Sequence, residues 1–380
     1  MSKLRYGMFG GSEDAFIGKV HRIGAGFHHH LEMVAGCFSR DEVKNQTTAQ
    51  LLSLDQDRVY KTYEEMAIQE AKRSDKMDFV VIVTPNNTHY SASKAFLEAG
   101  FHVLCEKPLT FTHEEAKELA AIAKQKDLLF GVAYAYQGYA MIPLMRDMIQ
   151  RGDIGEILTV NSRYIQGWLL NPVFYSPTEA KPWRMIPKYS GISNSVGDIG
   201  SHIEYMVRYV TGLHVDRVSA VMDTFGEELD MNTMMHIEYE NKVKASYWVS
   251  QIAWGKLNDF NIQVFGTEGA LEWNQELPDY LLYTKRNEAT QKLVRGQEFL
   301  PFASKNYSQL PAGHPEGYHV AFANIYAKFS QAILDHRQGI KDALKVNDVP
   351  SVIDGIEGVA FIEAVIDSAK NDGVWKKVAK

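Results

Sequence analysis

The chain has 380 residues, 45% of them hydrophobic, and a formal net charge of −7. That length exceeds one ordinary α/β unit and predicts two domains with ample core material. The acidic balance, with no lysine- or arginine-rich run, excludes charge-driven binding to nucleic acid or an anionic membrane, and two cysteines exclude a disulfide framework.

Met1 to Arg5 runs straight into a strand pattern, without the look of a signal peptide. No apolar stretch approaches the length of a membrane span. Cys37 and Cys105 lie in apolar, strand-like runs. The expectation is a soluble cytoplasmic protein with buried thiols.

The first half alternates short apolar runs with helical stretches. Leu4–Phe9, Glu32–Phe38, Phe79–Val83, Phe101–Cys105 and Leu128–Ala133 are brief and rich in β-branched residues, the pattern of parallel strands buried on both faces. Between them, His89–Ala99 ends at Gly100, and Thr112 with Glu115 forms a capping box for a helix to about Lys126. This predicts a doubly wound parallel sheet, with ligands beyond the carboxyl ends of its strands.

The second half changes period. Val160–Ile165, Thr233–Tyr239, Val243–Val249 and Phe260–Phe265 alternate every second residue, as antiparallel strands with one buried face do. Gly266 to Gly269 turns the chain into Ala270–Trp273. The open face of such a sheet needs a cover, and a second copy of the chain supplies it most simply. Tyr283–Ser308 reads as a long irregular surface excursion, and helices over His319–Leu334 and Val352–Ala369 close the chain. The expected division is 1–133 for dinucleotide binding and 134–380 for substrate binding and oligomerisation. The fold class is α/β, a Rossmann sheet followed by a domain with a large, mostly antiparallel open sheet.

Every candidate motif of the first half falls at a strand end. Gly10, Gly11 and Ser12 follow the first strand, and Phe16 and Ile17 open the helix beyond. Small residues there let backbone N–H groups approach a pyrophosphate at a helix N-terminus. Glu13 to Ala15 looks inserted in the usual glycine spacing. After Phe38, Ser39 and Arg40 suit a 2′-phosphate, whereas Asp41 suits a free 2′-hydroxyl. NAD versus NADP therefore stays open. Thr84, Pro85, Asn86 and His89 form a turn and helix start near a nicotinamide ribose. Glu106 and Lys107, both candidate cofactor contacts, precede Pro108, which fixes the turn and holds the lysine at the strand end. A lysine in a partly desolvated cleft stabilises a developing alkoxide.

Asp198 and His202 are four residues apart, so a helix would place both on one face. An aspartate beside a histidine sets its tautomer and favours its protonated form. Lysine, aspartate and histidine together suffice to take a proton from an alcohol while a hydride leaves its carbon. Either His202 or Lys107 can carry the proton. His28 to His30 are consecutive and lack partners at ligand spacing, so no metal site is expected.

With these residues in place, the chain resembles the Gfo/Idh/MocA oxidoreductase family over nearly its whole length. The glycine turn, Thr84-Pro85-Asn86, Glu106-Lys107-Pro108 and Gly197-Asp198-Ile199-Gly200-Ser201-His202 occur in the family's order. The resemblance implies NAD(P) on the first domain, with Lys107, Asp198 and His202 at the chemistry. It also implies a cis Lys107–Pro108 bond and a homodimer or homotetramer through the C-terminal sheet. Ala135-Tyr136-Gln137 departs from an Asn-Tyr-Arg element that many members carry. Arg163, Gln166, Trp168, Trp183, Arg184, His314 and Tyr318 lie in segments more similar to the subgroup acting on glycosides and anhydrosugars. With Tyr136 and Gln137, they offer aromatic faces and polar donors that suit a sugar ring.

The reading is a dehydrogenase acting on a ring secondary alcohol of a sugar, glycoside or polyol. Two alternatives remain: an NAD-dependent glycosidase working by transient oxidation, and a catalytically idle dinucleotide-binding regulator.

Overall fold

The computed structural model describes residues 3–176, 180–301 and 305–380. The chain forms two compact units, Met1–Ala135 with His319–Ile356, and Tyr136–Tyr318 with Glu357–Lys380.

The first unit holds five parallel strands: β1 (Leu4–Gly10), β2 (Leu31–Cys37), β3 (Phe79–Val83), β4 (His102–Cys105) and β5 (Phe130–Val132). Their order is β2-β1-β3-β4-β5. An isolated parallel bridge from Gly36 to Val59 extends the β2 edge, matching the outer strand of the doubly wound dinucleotide fold. Every residue of β3 is buried, as its unbroken Phe-Val-Val-Ile-Val run requires. The capping box forms as read: Thr112 caps the helix His113–Gln125, and Glu115 accepts from the Thr112 N–H at 3.2 Å. Asp41 caps Glu42–Leu51 by accepting from Lys44 N–H at 3.0 Å.

The helix Tyr318–Arg337 packs on this sheet, although the sequence reading put it with the second half. Phe329 meets Phe79 edge-on at 5.4 Å, and Tyr326 meets Tyr6 at 6.4 Å. Gly24 is glycine for the same reason: a Cβ there would lie 2.7 Å from Phe322 Cβ. An apolar helix stripe announces burial without naming its partner.

The second unit holds a nine-stranded sheet: β6 (Ile157–Ile165), β7 (Val215–Asp223), β8 (Asn232–Tyr239), β9 (Lys244–Ser250), β10 (Asp259–Gly266), β11 (Gly269–Asn274), β12 (Tyr280–Lys285), β13 (Gln291–Val294) and β14 (Lys376–Lys377). All its pairings are antiparallel except β6 with β9. Helices Met141–Gln150 and Ser201–Thr211 pack on one face. Tyr164, Phe260, Trp273 and Leu281 are buried there. On the other face Val221, Met234 and Trp248 form one cross-strand row and are exposed.

Two expectations need correction here. Residues 283–308 are not one irregular excursion, because β12 and β13 make a hairpin from the first part. Beyond it, the buried Arg295 pairs with Asp279 at 2.8 Å and Glu316 at 2.9 Å. Residues 302–304 of that stretch lie outside the described residues. Asp198 sits in a wider π-turn, Val196–Gly200, that feeds the α-helix Ser201–Thr211, not in a regular helix start.

Candidate active site

In the first unit the glycine turn is a cradle closed to side chains. Gly10 and Gly11 adopt φ of 84° and 72°, conformations that glycine takes without strain. A Cβ on Gly10 would lie 2.6 Å from Thr84 Cγ2, so the first and third strand ends adjoin. A Cβ on Gly18 would lie 2.4 Å from Gly11 Cα, so the helix Phe16–Gly26 presses against the turn. That helix has an alanine N-cap with no side-chain hydrogen bond and no acidic residue in its first turn. Such an end accepts phosphate oxygens. These residues fit a dinucleotide.

The apparent insertion is anchored. Ser12 Oγ donates to Asp14 at 2.5 Å, Asp14 pairs with Lys44 at 2.6 Å, and Glu13 N–H donates to Thr48 Oγ1 at 3.1 Å. Phe16 and Arg40 are exposed, Ile17 and Ser39 half-buried. Asp41 spends its carboxylate on the helix cap and so has less to offer a ribose hydroxyl.

Pro85 leads into a short turn, Asn86–Thr88, in which Thr88 Oγ1 donates to Thr84 Oγ1 at 2.6 Å. His89 is fully buried, with Nδ1 2.8 Å from Pro108 O and Nε2 3.0 Å from Thr84 O. Burial pushes its imidazole toward the neutral form, whose single N–H serves one carbonyl at a time. His89 thus ties the Thr84 turn to the Pro108 turn from beneath. The Lys107–Pro108 bond is cis.

Glu106 is buried, and burial pushes its carboxyl up. The His21 hydrogen bond and the charges of His21 and Lys107 outweigh that and hold it below the ordinary value. His21 Nε2 lies 2.9 Å from Glu106 Oε1, and its Nδ1 lies 2.7 Å from Tyr326 Oη. Glu106 Oε2 accepts the Lys107 N–H at 3.1 Å. His21 and Tyr326 were missed in the sequence. Each reads alone as a core residue on a helix, and 305 positions separate them.

In the second unit His202 is buried beside Tyr136, ring centroids 4.6 Å apart, and Tyr164, 6.1 Å away. The Tyr136 and Tyr164 hydroxyls meet at 2.5 Å. Burial pushes both phenols up, so both keep their protons. Tyr318 stands 5.8 Å from Tyr136. Tyr164 Oη donates to Asn258 Oδ1 at 2.7 Å, and Gln166 Nε2 donates to the same oxygen at 2.7 Å. Trp168 Nε1 donates to Gln166 Oε1 at 3.0 Å. Asp198 Oδ2 accepts from Gln251 Nε2 at 2.9 Å and pairs with Arg184 Nε at 3.1 Å. Arg184 also stacks over Trp183, 4.4 Å from its ring centroid.

Tyr136, Gln166, Trp168, Trp183, Arg184 and Tyr318 therefore join the rings and hydrogen bonds around His202 and Asp198. Gln137 is buried and accepts from Tyr205 Oη, in the support of that cluster. His314 is exposed, and its carbonyl accepts from Arg295. Arg163 is not brought together with His202. It alternates with Tyr164 along β6, so it points to the open face, where it pairs with Asp259 at 3.2 Å. Asn258 and Gln251 were missed, since amides in loop-like sequence read as turn formers. Among the described residues, no group of three or more His, Cys, Asp or Glu could hold a metal ion.

Residues 4–134 match the model described as "Oxidoreductase family, NAD-binding Rossmann fold", and residues 143–272 match the GFO/IDH/MocA C-terminal domain. The uncharacterized oxidoreductase YfiI of Bacillus subtilis is 36% identical over 379 residues, 98% of this chain and 96% of its own. The chain belongs to the Gfo/Idh/MocA oxidoreductase family. An inositol dehydrogenase homolog from Azotobacter vinelandii, complexed with NAD+, superposes on this family member with a TM-score of 0.94 at 33% identity. The match covers 99% of this chain and 97% of that one. Levoglucosan dehydrogenase of Pseudarthrobacter phenanthrenivorans is 32% identical over 227 residues, 53% of this chain and 56% of its own. The protein is thus an NAD(P)-dependent oxidoreductase with a Rossmann unit and a mostly antiparallel open-sheet unit. Among the described residues, no helix is long and apolar enough to cross a membrane.

Proposed function

We propose that this oxidoreductase interconverts a ring secondary alcohol of a sugar, glycoside or polyol with its ketone. The observation that carries the reading is His202 set against the Tyr136 and Tyr164 rings, with Asp198 held by Gln251 and Arg184. Aromatic faces suit the C–H faces of a sugar ring, and amide and guanidinium donors suit its hydroxyl rim. Relatives named for inositol and levoglucosan favour the same class. A bound nicotinamide supplies hydride acceptance at the alcohol carbon. His202, oriented by Asp198, takes the hydroxyl proton. Lys107 donates a hydrogen bond to the oxygen and lowers the cost of alkoxide character there. Gly10, Gly11, Ser12, Phe16 and Ile17 would cradle the pyrophosphate. Ser39 and Arg40 would meet the adenosine ribose, and Thr84, Pro85 and Asn86 would meet the nicotinamide ribose.

Two copies cover each other's open sheet face across the row Val221, Met234 and Trp248. The buried thiols of Cys37 and Cys105 suit the reducing cytoplasm.

The test is reduction of NAD and of NADP, followed by absorbance, against free sugars, inositols, anhydrosugars and glycosides. One cofactor and one sugar class should give turnover. His202→Ala should then lose about 10²- to 10⁴-fold in kcat and Lys107→Ala about 10²- to 10³-fold, with dinucleotide binding retained. Release of an aglycone without net cofactor reduction would instead identify a glycosidase. Dinucleotide binding without turnover on any sugar would identify a regulator.

A further inference from the structure

We infer that Gln251 is a positioning residue that holds Asp198 in its working orientation. The inference rests on the reading of Asp198 and His202 as the reacting pair.

Gln251 follows β9, where the strand leaves the sheet, and its residue is 0% exposed. A primary amide carries two donors and one acceptor oxygen, and burial requires them to be used. Gln251 Oε1 accepts from Asn194 Nδ2 at 2.8 Å. Asn194 Nδ2 also donates to Asp230 O at 3.0 Å, which only an N–H can do. The orientation of the Asn194 amide is thereby set, and with it that of Gln251. Its Nε2 is left to face outward, where it donates to Asp198 Oδ2 at 2.9 Å and lies 3.4 Å from Gln166 Oε1.

The chain of contacts is rooted in Asp230, which is buried. Its carboxylate accepts from Ser193 Oγ, Asn194 N–H and Val196 N–H, each at 2.8 Å. Ser193 and Asn194 lead into the π-turn that carries Asp198, and Val196 begins it. Asp230 therefore fixes the backbone on one side of Asp198, and Gln251 fixes the side chain on the other. Arg184, another partner of Asp198, is half-exposed and lies on a surface turn, so it supplies charge with less geometric constraint. Of these two donors, Gln251 is the fully buried one. A carboxylate misdirected by a fraction of an ångström orients a neighbouring imidazole poorly, and the cost falls on turnover, not on binding.

The test is a double-mutant cycle between positions 251 and 198. Gln251→Leu removes the donor without adding charge. Gln251→Glu also removes it but keeps an oxygen for Asn194, so it guards against misfolding of the Leu variant. Each should lower kcat about 10- to 100-fold, with dinucleotide affinity and sugar KM within about twofold of wild type. In an Asp198→Asn background, either substitution should cost less than about twofold more in kcat. A merely structural Gln251 would cost as much in that background as in the wild type, and that additivity overturns the inference. Wild-type kcat in both Gln251 variants overturns it as well. Wild-type kcat in Asp198→Asn alone would overturn the reading of the reacting pair, and the role of Gln251 with it.

Discussion

Glu106 shows how a single side chain can be both motif and foundation. The sequence places it before Lys107 and suggests contact with a cofactor. The structure buries its carboxylate and gives it His21, which in turn contacts Tyr326. A carboxylate drawn from water without a partner is costly, whereas a hydrogen-bonded one is tolerated. His21→Phe keeps the ring's bulk but leaves Glu106 buried with that partner lost. The expected outcome is a loss of about 3–5 kcal/mol in unfolding free energy, measured by urea titration. A loss below about 1 kcal/mol would mean that water or a relaxed backbone replaces the imidazole. Lys107 before Pro108, and Asp198 four residues before His202, could be proposed from the sequence because each motif is local. His21, Asn258 and Gln251 could not, because their partners lie far off in sequence and no pattern of residue types announces them.

At the scale of elements, β4 carries a buried histidine at its first position. The backbone N–H of Leu129 donates to His102 Nδ1 at 2.9 Å, so the folded ring is a neutral acceptor on that side. Burial, then the nearby charges of His336 and Arg337, push its pKa down from 6.5 to about 4. A folded value below the unfolded one means that the unfolded chain binds the extra proton. Stability from this group is therefore complete above pH 6.5 and is lost as pH falls from there toward 4. Between pH 7 and pH 5 the loss is about 2 kcal/mol. Urea titrations at those two pH values should show that difference shrink by a similar amount in His102→Gln. An unchanged pH dependence would assign the effect to other groups. The five strands of the first half and the helices after Thr88 and Thr112 were read nearly to their ends, because buried strands and helix-end signals are written in consecutive residues; the helices Glu42–Leu51 and Tyr63–Lys72 were not. The β12–β13 hairpin was not, because its alternation is weak and polar residues such as Gln291 and Lys292 dilute it.

At the scale of the whole molecule, the sheet of the second unit leaves one face open. The row Val221, Met234 and Trp248 is 67%, 58% and 37% exposed, and a hollow of about 760 Å³ beside it is lined by Arg163, Met234, Trp248 and Trp254. A contiguous apolar patch on a sheet face marks an association surface. Wild-type protein should therefore run as a dimer or tetramer by light scattering after gel filtration. Val221→Lys combined with Met234→Lys should shift it toward monomer, with the dinucleotide still bound. A monomeric wild type at tens-of-micromolar concentration, chosen to match an ordinary association strength, would sink this assignment.

The same open face explains the fate of Arg163. Its neighbour Tyr164 faces His202, and strand geometry sends the next side chain to the other side. Sequence could list both as sugar-facing; only the sheet could separate them. What the sequence determined by itself was local: the run of buried strands, the helix caps, the glycine turn, and the order of motifs that identifies the family. Those follow from backbone sterics and from periodicity over a few residues, which any fold containing them must respect. The tertiary structure alone decided which sheet the helix Tyr318–Arg337 covers, which face Arg163 takes, and that Gln251 reaches Asp198 across 53 positions. Burial and hydrogen-bond partners are set by where distant segments meet, and a linear pattern of residue types carries no coordinate for that meeting.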